Sequence, residues 1–477
     1  MIKARAFAGK HYAVLGLARS GLATVEALLA SGSRVTAWDD REEARNQLLP
    51  LLEGEMARSA GGGTYPSPSD RPPPSAAPTP PPEVGEGLSL IDFAASDLTQ
   101  FDSIVVTPGL PLNRHPIAAR ARDAGVEIIG DIELFARARA ALPPHKVVGI
   151  TGTNGKSTTT ALIHHILQTA GVQSLMGGNI GLPILSRDPL PESGVYVLEL
   201  SSYQIDLTKS LDCDVAVLLN ITPDHLDRYE SFKAYAASKI RLFEMQSEEH
   251  VAVARAIDWW ETDRFDSPFE SSNAGFLDVY DDAFHTWQAE QGAIAHFEQP
   301  DWPTLQGPHN FLNLQAAMST CFLLGLDGHQ IRKGLRSFSG LPHRMERLLH
   351  RDGVIFVNDS KATNAEAAAP ALAAYPKVRW IVGGQAKGET LGDTAKHLDH
   401  VVAAYTIGEA GPMFARLLRD AGVNVVESET LDHAVKRAAE DSQPGETVLL
   451  SPASASFDQF KDFEARGDAF RELVGAL

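Results

Sequence analysis

A short glycine-rich segment near the middle of the chain combines the residue types that bind phosphate. Residues 152–158 read Gly-Thr-Asn-Gly-Lys-Ser-Thr, between an apolar run and a helical pattern. Backbone N–H groups at such a strand–loop–helix turn converge on phosphate oxygens, and the helix dipole adds positive charge. Lys156 would reach the outer phosphates and Ser157 would bind magnesium, which predicts a nucleoside triphosphate site. Ile150 stands where the general pattern has its first glycine; the competing interpretation is a packing turn with an exposed lysine.

Two further polar side chains accompany apolar runs that predict buried strands. Glu199 lies in the run 195–200, and His225 follows the run 215–219. Ligands of open α/β sheets collect beyond the carboxyl ends of the strands, so both residues are candidates for a site there. Lys239 lies in the helical pattern that comes next, where spacing alone predicts an ordinary solvated charge.

Several polar residues follow the predicted strands of the last third of the chain. Lys361, Thr363, Lys387 and Ser456 each come just after such a strand. Because the carboxyl ends of parallel strands meet at one edge of a sheet, these side chains can gather there. Ammonium and hydroxyl groups suit an anionic carboxylate ligand. The alternative is a set of ordinary polar loop residues.

Two other segments have a structural as well as a functional interpretation. Residues 16–21 form a tight turn between a strand and a helix, and Asp39 follows the second strand, as in a dinucleotide-binding βαβ unit. Ala18 replaces the second glycine of that fingerprint, so a packing turn without ligand is the alternative. Asn310 and Asn313, one helical turn apart, either face one ligand or cap their helix.

These candidate residues need a sheet to position them, and the strand and helix patterns alternate along most of the chain. Alternation of this kind is typical of parallel, doubly wound α/β domains. The length suggests about three domains, which we place at residues 1–134, 135–340 and 341–477. Residues from about 54 to 87 are rich in proline, glycine, serine and alanine, which predicts a disordered insertion in the first domain.

Composition narrows the class of protein. The net charge of −19 argues against nucleic acid as the main partner. Cys213 and Cys321 are the only cysteines, which predicts no disulfide framework and fits a reducing cytosol. No apolar run is long enough to span a membrane. Arg19 and Glu26 interrupt the apolar start of the chain, so we expect no signal peptide.

Taken together, these segments resemble the Mur ligase family of peptidoglycan synthesis, over nearly the whole chain apart from the insertion. The motifs that carry the resemblance are residues 152–157, 178–181, 198–202, 220 with 224–228, 341–344, 359–364 and 451–463. The last of these is similar to the tail of the members that add D-glutamate. Many separate motifs in the same order are far more specific than any one of them.

The resemblance implies Rossmann-like N-terminal and C-terminal domains that flank a central P-loop ATPase-type α/β domain. The first domain would bind the uridine nucleotide of the substrate, the second ATP, and the third the incoming amino acid. ATP would phosphorylate the alanyl carboxylate of UDP-N-acetylmuramoyl-L-alanine, and the amine of D-glutamate would attack the acyl phosphate to give amide, ADP and phosphate. We expect a cytoplasmic monomer that acts on small molecules.

The resemblance also implies roles for individual residues. Ser157 and Glu199 match the ligands of one magnesium ion. His225 and Lys239 match those of a second, where the family's lysine is carbamylated and so becomes an anionic oxygen ligand that suits magnesium. Lys156 would stabilise the migrating phosphoryl group. The candidate catalytic residues are therefore Lys156, His225 and Lys239.

Three binding sets complete the prediction. The ATP set comprises Gly152, Thr153, Asn154, Gly155, Lys156, Ser157, Thr158, Asn310, Arg344 and Asp359. The UDP-substrate set comprises Leu17, Ala18, Asp39, Asp40, Arg41 and Asn179. The amino-acid set comprises Lys361, Thr363, Lys387, Ser456 and Phe463. Two positions depart from the family: Ala18 replaces a hydroxyl residue, and residues 383–387 read Gly-Gly-Gln-Ala-Lys instead of Gly-Gly-Asp-Gly-Lys.

Two other functions are compatible with many of these motifs. One is a related amide ligase, either a folylpolyglutamate synthetase or a Mur ligase that adds another amino acid; the tail 451–463 argues against it. The other is an ATP-binding regulatory protein built on an inactive ligase. The presence of Lys156, Glu199, His225 and Lys239 argues against that function.

Overall fold

The computed structural model describes residues 1–51, 87–93, 96–222, 224, 227–254, 275–278, 302, 304–305, 307–386 and 388–477. Apart from residue 87, the predicted proline-rich insertion lies outside these residues, as do His225 and Lys387. The described strands form three sheets, which agrees with the predicted α/β class.

The strands alternate with helices along the chain. The first sheet contains β1 (His11–Leu15), β2 (Arg34–Trp38), β3 (Leu88–Leu90), β4 (Ser103–Val106) and β5 (Ile128–Ile129). The second contains β6 (His145–Thr151), β7 (Ser174–Gly178), β8 (Gly194–Glu199), β9 (Val215–Leu218), β10 (Val251–Ala254) and β11 (Gly275–Asp278). The third contains β12 (Glu346–Arg351), β13 (Val354–Asn358), β14 (Val378–Gly383), β15 (Val401–Ile407), β16 (Val425–Glu429) and β17 (Thr447–Leu450).

Helices connect many of the successive strands. In chain order they are α1 (Arg19–Ala30), α2 (Glu42–Asn46), α3 (Pro116–Ala124), α4 (Asp131–Ala138), α5 (Lys156–Thr169), α6 (Ser202–Asp206), α7 (Phe232–Glu244), α8 (Pro308–Leu323), α9 (Gly328–Ser337), α10 (Ala365–Ala373), α11 (Gly411–Asp420), α12 (Leu431–Asp441) and α13 (Phe463–Gly475). Short 3₁₀ helices lie at Arg5–Phe7, Leu98–Gln100, Arg139–Ala141, Ile184–Ser186 and Gly392–His400. No helix in the described part of the chain is long and apolar enough to cross a membrane.

The first sheet is parallel, with the strand order β3-β2-β1-β4-β5. This is the order of a doubly wound nucleotide-binding fold. The side chains of successive β1 residues are buried on opposite faces of the sheet, because side chains alternate along a strand. Tyr12 and Val14 join the core on one face, and Ala13 and Leu15 join the core on the other.

The second sheet is also parallel, and β6 lies at its centre between β9 and β8. The carboxyl ends of these three strands are therefore adjacent. The glycines among residues 177–181 suggest a loop by composition, but this prediction is wrong for Gly177 and Gly178, which end β7. They pair in register with Leu198 and Glu199 of β8.

The third sheet has the order β12-β13-β17-β14-β15-β16. All of its neighbouring strands are parallel except β12, which is antiparallel to β13. The prediction of a purely parallel domain is therefore wrong at this edge. Residues 341–344 lead directly into this edge strand, and a short turn then suffices to reach β13 because the two strands run in opposite directions.

Contacts divide the described residues into two compact units. One comprises Met1–Thr153 with Val172–Asp278 and contains the first two sheets. The other comprises Asn154–Gly171 with Val279–Leu477 and contains the third sheet together with α5, α8 and α9. The expected domain boundaries at residues 134/135 and 340/341 stay predictions.

Candidate functional site

Lys239 is buried, so the prediction of a solvated charge at this position is wrong. Only 2% of its surface is exposed, and its Nζ donates a hydrogen bond to the carbonyl oxygen of Gly152 at 2.9 Å. The Nζ also lies 4.7 Å from the centre of the Tyr235 ring, within the range of a cation–π contact. Burying an ammonium group is costly unless it has such partners. The fold therefore holds Lys239 beside the first residue of the predicted phosphate loop.

Tyr235 connects this lysine to the next residue of the loop, a role that sequence reasoning missed. Its hydroxyl lies 3.1 Å from Oγ1 of Thr153, which in turn donates to the carbonyl oxygen of Thr222 at 3.1 Å. Burial raises the pKa of Tyr235 to about 12, so the hydroxyl stays protonated at neutral pH. Its position one helical turn before Lys239 was the available signal, since residues four apart share a helix face.

Glu199 is the last residue of β8. It is buried, with only 3% of the residue surface exposed. Its Oε1 accepts a hydrogen bond from Nδ2 of Asn179 at 3.1 Å, and the Asn179 N–H donates to the Glu199 carbonyl oxygen at 2.8 Å. Asn179, predicted to position substrate, thus orients Glu199. Within the described residues, Oε2 of Glu199 is buried without a hydrogen-bond partner.

An unpartnered buried carboxylate oxygen is expensive in a folded protein. Magnesium prefers hard oxygen ligands, so Glu199 fits the predicted role. Among the described residues no group of three or more His, Cys, Asp or Glu side chains forms a metal cluster. The predicted ligand set also uses serine and a modified lysine. Its remaining member, His225, lies outside the described residues.

The phosphate loop continues into the other unit, where α5 begins at Lys156 and Gly155 is its N-cap residue. Gly155 has φ of +88°, and a Cβ there would lie 2.2 Å from Oδ1 of Asn313. Only glycine satisfies both constraints. The Asn313 side chain also donates to Oδ1 of Asn310 at 3.2 Å. The helix-capping interpretation of this asparagine pair is wrong, because α8 is capped at Gly307 without a side-chain bond.

Arg344 and Asp359 belong to the same unit as Ser157. Nη2 of Arg344 donates to Oγ of Ser157 at 2.8 Å. Asp359 is buried and accepts hydrogen bonds from Oγ of Ser451 at 2.8 Å and from the Met345 N–H at 3.2 Å. Burial raises the pKa of Asp359 to about 7, and those hydrogen bonds and the Arg344 charge act in the opposite direction. The fold thus joins three of the residues predicted to bind ATP.

The predicted amino-acid set lies on loops after the strands of the third sheet. Lys361 follows β13, and Phe463 is the first residue of α13. Nζ of Lys361 lies 3.8 Å from the centre of the Phe463 ring. Ser456 is buried in the loop after β17, and Thr363 is half-buried after β13. Because β17 lies between β13 and β14, these loops leave the sheet at one edge. Lys387 lies outside the described residues.

The departure at Gln385 and Ala386 does not disrupt the backbone there. Gln385 N–H donates to the Ala455 carbonyl oxygen at 2.8 Å, and Ala455 N–H donates back to Gln385 at 2.9 Å. This pair of bonds joins the loop after β14 to the loop after β17. The residues that precede Lys387 and Ser456 are therefore side by side, as the prediction of one sheet edge requires.

Arg466 holds two of these loops together and was not found by sequence reasoning. Its buried guanidinium donates to Oγ and the carbonyl oxygen of Ser360 at 3.0 and 2.9 Å, and to the carbonyl oxygens of Ser454 and Ala455 at 3.0 and 3.3 Å. Burial lowers the pKa of Arg466 to about 10, which leaves it charged at neutral pH. An arginine in a helical pattern carries no signal of such a role.

The predicted UDP-substrate residues surround the turn between β1 and α1. Asp39 accepts hydrogen bonds from the Leu17 N–H at 2.7 Å and from the Arg41 N–H and Nε at 2.9 and 3.2 Å. Burial alone would raise the pKa of Asp39, but the Arg41 and Leu17 hydrogen bonds outweigh it and lower the pKa. The Leu17 side chain is fully buried in the core, and the role of this residue in binding the UDP-substrate stays a prediction. Ala18, Asp40 and Arg41 are exposed.

The chain matches two protein-family descriptions. Residues 150–321 match the Mur ligase middle domain, and residues 343–454 match the domain described as Mur ligase, glutamate ligase domain. These ranges include the predicted phosphate loop, Glu199, Lys239 and the whole third sheet.

Curated relatives match the chain over its full length. The chain is 54% identical to the UDP-N-acetylmuramoylalanine–D-glutamate ligase of Novosphingobium aromaticivorans, covering 100% of this chain and 97% of the relative. It is also 54% identical to the enzyme of the same name from Sphingopyxis alaskensis, covering 100% of both. Among solved structures it is similar in fold to the UDP-N-acetylmuramate-alanine ligase of Thermotoga maritima, at 16% identity and a TM-score of 0.53, covering 98% of this chain and 99% of the other.

Proposed function

This chain belongs to the Mur ligase family, and from that premise we propose that it joins D-glutamate to UDP-N-acetylmuramoyl-L-alanine with cleavage of ATP. It is an ATP-dependent, amide-bond-forming ligase of peptidoglycan precursor synthesis, the process that supports cell shape and division. The observation that carries the proposal is the full-length identity of 54% to ligases named for D-glutamate.

The first step of the proposed reaction is transfer of the γ-phosphoryl group of ATP to the alanyl carboxylate. Lys156, at the start of α5, neutralises charge on the migrating group. Arg344 binds beside it, since its guanidinium already donates to Ser157. Asn310 and Asp359 bind the adenosine part of the nucleotide. The positive end of α5, which has no acidic residue in its first turn, favours the triphosphate.

Magnesium at two sites would bring the two anionic reactants together by neutralising their charge. Ser157 and Glu199 are the proposed ligands of one site, and His225 with a carbamylated Lys239 those of the other. Oε2 of Glu199, which is buried without a hydrogen-bond partner in the described part of the chain, supports the first site. The burial of Lys239 supports the second, because a carbamate would replace a costly buried cation by a ligand anion.

The second step is attack of the D-glutamate amine on the acyl phosphate. Lys361 and Lys387 attract the carboxylates of the amino acid, and Thr363 and Ser456 donate hydrogen bonds to them. Phe463 supports this function through its ring contact with Lys361. The tetrahedral intermediate then loses phosphate, and the amide remains.

Each substrate has its own proposed domain. We place the UDP-substrate domain at residues 1–134, the ATP-binding domain at 135–340 and the amino-acid-binding domain at 341–477. The three sheets support this division. Asp39, Asp40 and Arg41 surround the uridine nucleotide. A cytoplasmic monomer that uses only small molecules is consistent with the acidic composition.

The direct test is release of phosphate from ATP in the presence of UDP-N-acetylmuramoyl-L-alanine, with D-glutamate, L-glutamate or no amino acid. We expect release only with D-glutamate. Release with L-glutamate instead would keep the reaction type and change the substrate. Tight ATP binding without turnover in any of the three mixtures would contradict the proposal and favour a regulatory protein.

A further inference from the structure

Arg19 is a cation at an unfavourable place on its own helix. It is the first residue of α1, and its side chain is exposed. The preceding residue, Ala18, is the N-cap and provides no side-chain cap, and the first turn contains no acidic residue. The positive end of the helix dipole repels cations and favours anions. Helix stability alone would favour a hydrogen-bond acceptor or a carboxylate at this position, so the arginine indicates a role other than stabilising the helix.

The local charge balance reinforces this positive end. The first bond of the α1 ladder runs from the Leu22 N–H to the Ala18 carbonyl oxygen at 3.0 Å, so the N–H groups of residues 19–21 precede the ladder. The carboxylate at this turn, Asp39, is buried and paired with Arg41. The turn therefore remains positive in a chain whose net charge is −19.

Arg19 also connects two segments that the proposed function assigns to the same substrate. Its Nη2 donates to the carbonyl oxygen of Gly181 at 2.8 Å. Gly181 lies in the loop that begins with Asn179, whose side chain and backbone are both bonded to Glu199. One guanidinium thus spans from the nucleotide turn to the loop next to the proposed magnesium ligand, within one compact unit.

We propose that Arg19 is a substrate-positioning residue that binds the diphosphate of the UDP-substrate. The inference rests on the proposed function, which puts a UDP-linked molecule at this turn. A guanidinium offers several N–H donors in one plane, so it can hold Gly181 with one donor and phosphate oxygens with others. The diphosphate lies between the uridine and the sugar, away from the reacting carboxylate, so a contact with Arg19 contributes to substrate binding more than to turnover.

The test compares wild-type protein with Arg19→Ala, Arg19→Lys and the control Arg34→Ala. Arg34 is an exposed arginine at the start of β2, the opposite end of that strand from Asp39. We expect Arg19→Ala to raise KM for the UDP-substrate about 10-fold or more, the usual effect of losing a charged hydrogen bond. KM for ATP and kcat should stay within about twofold. Arg19→Lys should recover part of the loss, and Arg34→Ala should match wild type.

Inhibition by nucleotides distinguishes binding of the diphosphate by Arg19 from a purely structural role of its hydrogen bond to Gly181. UDP should inhibit Arg19→Ala more weakly than wild type by the same factor as KM rises, whereas inhibition by uridine should not change. An unchanged KM for the UDP-substrate would refute the inference, and so would equal weakening of UDP and uridine. Wild-type protein that releases no phosphate would refute the proposed function instead. Titration of wild type and Arg19→Ala with UDP would then still decide the role of Arg19.

Discussion

Lys239 and Lys361 both lie against an aromatic ring, yet their surroundings differ. Lys239 lies on a helix, is almost fully buried and donates to the backbone of the phosphate loop. Lys361 lies in a loop after β13 and is half-buried, with its Nζ 3.8 Å from the Phe463 ring. The first lysine is enclosed by the protein, and the second remains accessible to solvent.

This difference indicates two ways to use the same side chain. An enclosed lysine has its geometry set by the fold, which suits a group that must be modified once and then hold a metal ion. An accessible lysine keeps its charge and its freedom, which suits attraction of an anionic substrate that comes and goes. The ring beside each lysine preserves the position of the ammonium group in both cases.

Removing the enclosed lysine should have the largest effect. We expect Lys239→Ala to lower kcat by about 100-fold or more, comparable to the loss of a major transition-state contact. Added short carboxylic acids should restore part of the activity, because they can replace the oxygen ligands of a carbamate. The control is Lys233→Ala, an exposed lysine on the same helix. Full activity of Lys239→Ala without added acid would show that burial of this lysine serves only the fold.

Burial also distinguishes Asp359 from Lys361, two residues later on the same loop. The pKa of Asp359 is raised from 3.8 to about 7 by burial. Between pH 4 and 7 the carboxyl group is therefore neutral in the folded protein and ionised in the unfolded chain. Its contribution to stability is complete below pH 4 and is lost as pH rises to 7, with a limiting slope of about 1.4 kcal/mol per pH unit. The difference in unfolding free energy between wild type and Asp359→Asn, measured with urea, should change with that slope between pH 4 and 7. Parallel curves would contradict the burial argument.

Removing the accessible lysine should change substrate affinity more than turnover. We expect Lys361→Ala to raise KM for D-glutamate about 10-fold, by loss of one charged hydrogen bond, while KM for ATP stays within about twofold. Steady-state kinetics with each substrate varied in turn checks this. Lys377→Ala, an exposed lysine before β14, serves as the control. A fall in kcat as large as that of Lys239→Ala would remove the contrast between the two lysines.

Replacing the ring beside Lys361 should have the smallest effect. Phe463→Leu keeps an apolar side chain at the start of α13 but removes a cation–π contact, worth about 0.5–1 kcal/mol at exposed sites. We therefore expect KM for D-glutamate to rise about two- to fivefold. The double variant Phe463→Leu with Lys361→Ala should be no worse than Lys361→Ala alone. Additive losses would mean that the ring contributes independently of the lysine.

Much of the fold was predictable because local patterns agree with the tertiary structure. The apolar runs at residues 34–38, 401–407 and 447–450 predict strands with the bounds that β2, β15 and β17 have, and α5 begins at the lysine of the phosphate loop. The antiparallel β12 was missed, since its partly exposed residues lack the continuous apolar run of a buried parallel strand. Gly177 and Gly178 suggested a loop by composition, although the register with β8 extends the strand through them.

By itself, the sequence determined the motifs: a glycine loop before Lys-Ser, carboxylates and lysines after apolar runs, and their order along the chain. Only the tertiary structure decided which of these groups are buried and what they contact. It encloses Lys239, leaves an oxygen of Glu199 without a partner among the described residues and withdraws the Leu17 side chain into the core. It also brings in Tyr235, Arg466 and Arg19, whose partners lie far away in sequence. The physical reason is that desolvation and hydrogen bonding depend on distant segments, which no local pattern records.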